Sequence, residues 1–225
     1  LSYHSSAGTP TNRRRDSIRI GMMTATDING PWTKLGLMLE PPTPEESNVV
    51  TGEHYGFTDN PSLVRHPDGR FFLYYRLKYP DLKCGCTYGV AIADRLEGPY
   101  RHQRDPVVNN PTYVEDPYVF IHDGLFHMLL NDNHGPHGPQ AMLLTSEDGL
   151  FFDYDQGVRF GVIADYIAPD QLPADPEEIP KGFFERPQLL LKDGEPTHLF
   201  TPGGRVSGSA GTRCYLFEIA NEADG

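Results

Sequence analysis

The chain has 225 residues, 38% of them hydrophobic, enough to bury a substantial core as one domain. Nineteen Lys and Arg against 31 Asp and Glu leave a net charge of −12. That charge repels phosphate backbones and anionic lipid, which sets aside nucleic acid and membrane surfaces as partners and leaves neutral polar ligands such as sugars. No run of 18 apolar residues is present to cross a bilayer as a helix.

In chain order, Leu1-Ser2-Tyr3-His4-Ser5 reads as the second strand of a hairpin, with no initiating methionine. An N-terminal portion carrying the first strand is therefore expected upstream, and a signal peptide, if the protein has one, would lie there. The compartment, secreted, periplasmic or cytoplasmic, is left open. Ile20-Gly21-Met22-Met23-Thr24-Ala25 then leads through Gly30-Pro31-Trp32 into another strand, closing a partial unit at 1–45. A full unit follows at 56–107. It runs Asp59-Asn60-Pro61, an apolar strand, Asp68-Gly69, the strand Phe71-Phe72-Leu73-Tyr74-Tyr75, then Tyr88-Gly89-Val90-Ala91-Ile92-Ala93 and Gly98-Pro99-Tyr100. The next unit, 112–163, repeats the order with Glu115-Asp116-Pro117, Asp123-Gly124, Leu125–Leu130 and Met142–Ser146. Ala164 to Lys181, rich in Asp, Glu and Pro, reads as a loop over one face. A last unit from 182 carries Glu185-Arg186-Pro187, Asp193-Gly194, Thr197–Phe200 and Cys214–Ile219.

Asp-Gly between two apolar runs supplies the positive-φ turn of a β-hairpin. The three prolines are 56 and 70 residues apart, close to the length of a four-stranded propeller blade, and no amphipathic helix pattern intervenes. The fold class is therefore all-β, a single β-propeller domain over 1–225. Three and a half blades do not close a ring, which again points to missing chain or a missing partner.

In a propeller the first strand of each blade is innermost and begins at the central funnel. Asp59, Glu115, Asp116 and Glu185 are thus expected to converge from different blades, the position two before each proline being acidic every time. Paired carboxylates in a concave site are what glycoside hydrolysis needs, one protonated as general acid and one ionised. An acidic residue near proline also simply starts a strand and accepts turn hydrogen bonds, so it is the register of three that carries weight. Adjacent strand residues face opposite sides, so Glu115 and Asp116 are not expected to share a role. Asn60, Arg76, Arg186 and His134 are further candidates to contact substrate, Arg186 by steering hydroxyls or holding Glu185. His127 reads as a hydrogen-bonded core histidine. Cys84, Cys86 and Cys214 read as buried or loop thiols, because no second Cys/His pair at zinc spacing accompanies Cys84-Gly85-Cys86.

The set Ile20-Gly21, Gly30-Pro31-Trp32, Asn60-Pro61, Gly89-Val90-Ala91, Gly98-Pro99-Tyr100, Val114-Glu115-Asp116-Pro117, His127-Met128 and Glu185-Arg186-Pro187-Gln188-Leu189-Leu190 resembles five-bladed β-propeller glycoside hydrolases. The families concerned are 43, 32 and 117, together with uncharacterised bacterial proteins related to them. The resemblance covers nearly the whole chain, although each motif is short. It implies five blades with the first absent from this sequence, and a glycosidase acting on plant or algal oligosaccharides. It also implies Glu185 as general acid and Asp116 as the aspartate that orients substrate and adjusts the acid, with Glu115, Asp59 and Arg186 around them. The family's aspartate base has no counterpart at the expected distance upstream of Asp116, that region being expected before Leu1, and Asp59 is the one substitute within the chain. By analogy with family 117, His134 or His137 is an alternative acid. No cofactor is expected, although some family members hold a calcium ion on the axis. A non-catalytic carbohydrate-binding propeller and a phosphorylase of the related family 130 are the alternatives. The sugar, the linkage, the stereochemistry and the oligomeric state are not legible.

Overall fold

The structure, a computed structural model, describes residues 2–5, 8–9, 12–13, 18–48, 57–78, 84–135, 140–172, 184–203 and 213–220. Every extended sheet in it is antiparallel. Sheet one joins β1 (Ser2–Ser5), β4 (Arg19–Thr24) and β5 (Thr33–Leu39), with a two-residue ribbon of β2 (Gly8–Thr9) and β3 (Asn12–Arg13) between β1 and β4 in sequence. Sheet two is a meander of β6 (Phe57–Arg65), β7 (Phe71–Lys78), β8 (Thr87–Ala93) and β9 (Arg101–His102). Sheet three repeats it with β10 (Val114–His122), β11 (Leu125–Asp132), β12 (Gln140–Ser146) and β13 (Val158–Arg159). Sheet four holds β14 (Gln188–Lys192), β15 (Glu195–Gly203) and β16 (Arg213–Glu218). Among the described residues the helical elements are two short 3-10 turns, Tyr154–Gln156 and Ile163–Tyr166. The second opens the stretch expected as a loop, of which 173–181 lie outside the described residues.

The hairpin turns follow from their residues. Asp123-Gly124 and Asp193-Gly194 have both central residues at positive φ, the type I′ geometry that suits the twist of the flanking strands. Asp68-Gly69 differs, because Pro67 precedes it and presets a right-handed first turn residue. There only Gly69 is left-handed, and the amides of Gly69 and His66 close the loop onto His66 and Arg70.

Strand β7 shows how the layers stack. Residues 72–77 are all buried, and alternate side chains go to opposite sides. Leu73, Tyr75 and Leu77 meet Ile20 and Leu39 of sheet one. Phe72 and Tyr74 meet Val119, Phe126 and Met128 of sheet three. Sheet three turns its other side to sheet four, where Ala141 packs with Phe184, Leu199, Tyr215 and Phe217. Two polar ties fix the second interface: Tyr74 donates to the Gly149 carbonyl at 2.9 Å, and the Val119 amide donates to Ser62 Oγ at 2.8 Å. The sheets thus follow one another in sequence order, face on face, with β6 touching both β1 and β10. The outer side of sheet four is uncovered by any described residue, leaving Leu190, Phe200 and Leu216 exposed.

Candidate active site

Each of the two full meanders opens with a strand that breaks register just before its proline. The ladder slips between Asp59 and Ser62 on β6 and between Glu115 and Tyr118 on β10. Proline has no N–H to give the ladder, so a bulge costs little there. The residue directly before each proline is left-handed: Asn60 at φ 45°, Asp116 at φ 56° and, opening sheet four, Arg186 at φ 44°. Asn and Asp tolerate that conformation because their short polar side chains bond locally. Arg186 does not share that tolerance, and its backbone there is strained.

The bulge decides which side chain looks where. In sheets two and three the residue two before proline, Asp59 or Glu115, turns sideways into the space between them. Arg76 of β7, nearly buried, donates from Nε and one terminal nitrogen to Asp59 at 2.7 and 2.6 Å. Its other terminal nitrogen donates to Glu115 and, at 3.3 Å, to the Tyr113 hydroxyl. Asn133 completes the arrangement by donating to the second Glu115 oxygen at 3.0 Å. Asp59, Arg76 and Glu115 therefore form one inter-sheet ion cluster.

The pre-proline residues face inward instead. Asn60, Asp116 and Arg186, with Ser2, Pro61, Pro117 and Gln188, line a pocket of about 330 Å³. Asn60 Nδ2 donates to Asp116 Oδ1 at 2.5 Å, and Arg186 Nε stands 3.9 Å from the same oxygen. Burial pushes the Asp116 carboxyl up to about 6 against the pull of Arg186, with Glu115 and Glu185 adding to the rise and Arg76 opposing it. A carboxyl poised there exchanges a proton near neutral pH, which suits acid–base work. A larger cavity of about 430 Å³, at Arg70, Arg95 and Arg101, lies at the opposite ends of the strands and carries one carboxylate, Asp94, so it lacks convergent acids.

The sequence candidates are thus divided. Asn60, Asp116 and Arg186 come together, while Asp59, Arg76 and Glu115 are gathered beside them in the cluster. Glu185 is exposed, adjacent to Arg186, with its carbonyl accepting from Thr201 at 2.8 Å. His134 is exposed and sets its ring edge-on to Tyr113 at 5.9 Å, while His137 lies outside the described residues. His127 stacks on Phe120, with Nε2 3.3 Å from the His122 carbonyl oxygen. Cys86 is buried against the Val114 carbonyl, Cys84 is half-buried and Cys214 is exposed. Sequence reasoning missed Tyr113, Asn133, Gln188 and Ser2. Gln188 had one signal, its place directly after the third proline, two residues past the pocket-lining Arg186.

No family model and no curated protein matches this sequence. Solved structures do match in fold. A family 43 endo-arabinanase from Bacillus licheniformis superposes with a TM-score of 0.61 at 14% identity, over 100% of this chain and 70% of that one. A family 117 glycoside hydrolase from the marine bacterium Zobellia galactanivorans gives 0.56 at 16%, over 89% and 52%. A family 43 enzyme from Xanthomonas citri, solved with xylotriose, gives 0.59 at 17%, over 90% and 61%. The chain thus spans about half the length of the family 117 hydrolase. Its fold resembles that of glycoside hydrolases of families 43 and 117, which are five-bladed propellers.

Proposed function

We propose that this chain is the greater part of a five-bladed propeller glycoside hydrolase that cleaves plant or algal oligosaccharides in the pocket between Asn60, Asp116 and Arg186. The observation that carries the reading is Asp116, a buried carboxyl aimed into a pocket, with its proton affinity raised to about 6 and Glu185 close enough to contribute to the rise. In this reading Glu185, exposed and next in sequence to the pocket-lining Arg186, is the general acid. Asp116 orients the sugar in the pocket beside it. Arg186 and Asn60 hold hydroxyls. Arg76, with its donors committed to Asp59, Glu115 and Tyr113, braces the site, so Glu115 acts from the cluster and not on the glycosidic bond. Substrate is carbohydrate, and no resident cofactor takes part.

A second reading is favoured by one observation. Among the described residues Asp116 is the only carboxylate lining the pocket, which suits a carbohydrate-binding propeller without turnover. Release of reducing sugar from a panel of short arabino-, xylo- and galacto-oligosaccharides, with and without phosphate, separates the readings. Turnover in water supports the hydrolase, and turnover only with phosphate supports a phosphorylase. Binding without turnover, measured by calorimetry on the same panel, supports the binding module and overturns the proposal.

A further inference from the structure

Asn60 and Asp116 occupy the same position in consecutive sheets, each directly before its proline and each left-handed, so two equivalent bulges bring their side chains tip to tip. Asn60 is 93% buried, being 7% exposed, and so is not a casual surface contact. Its amide nitrogen is 2.5 Å from Asp116 Oδ1, whereas its Oδ1 is buried with no partner among the described residues. A buried amide that satisfies its donor and leaves its acceptor open is costly unless the site uses that acceptor. Asn60 lines the pocket together with Asp116.

We propose that Asn60 is the positioning residue of this site, holding Asp116 in one rotamer as an ionised acceptor while presenting its own Oδ1 to a hydroxyl donor of the ligand. Donation to a carboxylate favours the charged form. Asn60 therefore works against the burial that raises Asp116. The other charges facing Asp116 come from three places. Arg186 and Glu185 lie on the segment before β14, Glu115 is its neighbour on β10, and Arg76 on β7 reaches across with Asp59 already bound. Arg186 stands 3.9 Å away and is largely exposed, so it offers attraction without fixing geometry. Among the described residues only Asn60 touches the carboxylate from a buried position.

The open acceptor gives the pair a second use, which rests on the reading of the pocket as a sugar site. A sugar hydroxyl that donates to Asn60 Oδ1 lies beside Asp116, whose Oδ2 then accepts from a neighbouring hydroxyl. A vicinal diol satisfies both, and a deoxy sugar leaves one buried acceptor empty.

The test follows the Asp116 carboxyl carbon by NMR across a pH titration of protein labelled at aspartate, with the signal assigned by its loss in Asp116→Asn. Asn60→Asp keeps the shape and the tolerance for a left-handed backbone, but it replaces the donor with a second acceptor. Two carboxyls at that separation do not both ionise freely, so the pair is expected to titrate in two steps, one of them above about pH 7. Asn60→Gly deletes the amide without a backbone penalty, and there the single Asp116 midpoint is expected to move up from its wild-type position. Titration of Asp116 as in the wild type in both folded variants would overturn the proposal. The measurement needs no turnover, so a chain that cleaves no glycoside can still show the coupling, and failure of the hydrolase reading stays distinguishable from failure of this one. Xylotriose and its 2-deoxy analogue at one reducing or non-reducing end test the second use. Loss of the Asn60 side-chain amide perturbation with the deoxy sugar alone supports it, and equal perturbation by both removes it.

Discussion

At the scale of single residues, Glu185 and Asp116 are expected to fail differently. Removing a general acid costs roughly 10²–10⁴-fold in rate, and the loss shrinks when the leaving group needs little protonation. Glu185→Gln should therefore cripple cleavage of a natural disaccharide yet largely spare an activated aryl glycoside, and Asp116→Asn should impair both. Steady-state kinetics on the two substrates decide it, and wild-type rates for Glu185→Gln on the disaccharide would remove the residue from its role. Asp116 also has a stability signature. Its carboxyl is raised in the fold from 3.8 to about 6, so the native state binds the proton more tightly than the unfolded chain. The stability this contributes is complete below about pH 4 and is lost as pH rises through about 6, to a total of about 2–3 kcal/mol. Asp116→Asn, which cannot ionise, should then unfold at higher urea than the wild type at pH 7 and at similar urea at pH 4. A variant that is no more stable at pH 7 would mean that the hydrogen bond from Asn60 matters more than the buried charge.

At the scale of elements, the joint between sheets two and three rests on two devices. One is the Arg76 cluster. Arg76→Leu strands Asp59 as a buried charge and is expected to cost about 3–5 kcal/mol in urea denaturation. The double variant Arg76→Leu with Asp59→Leu should recover much of it, and no recovery would place the cost in packing. The other is Gly149, where a Cβ would sit 2.6 Å from Tyr74 Oη and 2.8 Å from Phe126 Cδ1, at φ +72°. Gly149→Ala should lower stability by about 1–3 kcal/mol through overpacking and backbone strain. Gly124→Ala, equally left-handed but with open space around its Cβ, isolates the backbone part of that cost. These elements were partly legible in the sequence. Asp123-Gly124, Asp193-Gly194 and the apolar run Phe71–Tyr75 state hairpins in local chemistry alone. The aim of the acidic side chains was not legible, because period-two alternation assumes an unbroken ladder. At Asp59 and Glu115 the bulge breaks it, and the inward-facing residue becomes the one directly before proline. Arg76 was legible as a strand-end arginine but not as a clamp, since its partners lie 17 and 39 residues away in sequence.

At the scale of the whole molecule, the sheets form a file in which sheet two is covered on both sides and sheet four on one. Leu190, Phe200 and Leu216 therefore stand on a flank that nothing described covers, on a chain whose net charge is −12. Mutual repulsion keeps such flanks apart in dilute neutral buffer, and it vanishes near pH 5.1, where the charges balance. Turbidity of this chain should accordingly peak near that pH and rise with added salt at pH 7, as screening shortens the repulsion. Leu216→Lys should flatten both responses while leaving the far-ultraviolet dichroism unchanged, and a turbidity peak unmoved by that substitution would locate the adhesive surface elsewhere. Colloidal behaviour of this chain would then be governed by three leucine and phenylalanine side chains on the outer side of its last sheet, and any purification or crystallisation held near pH 5 would select for clustered copies.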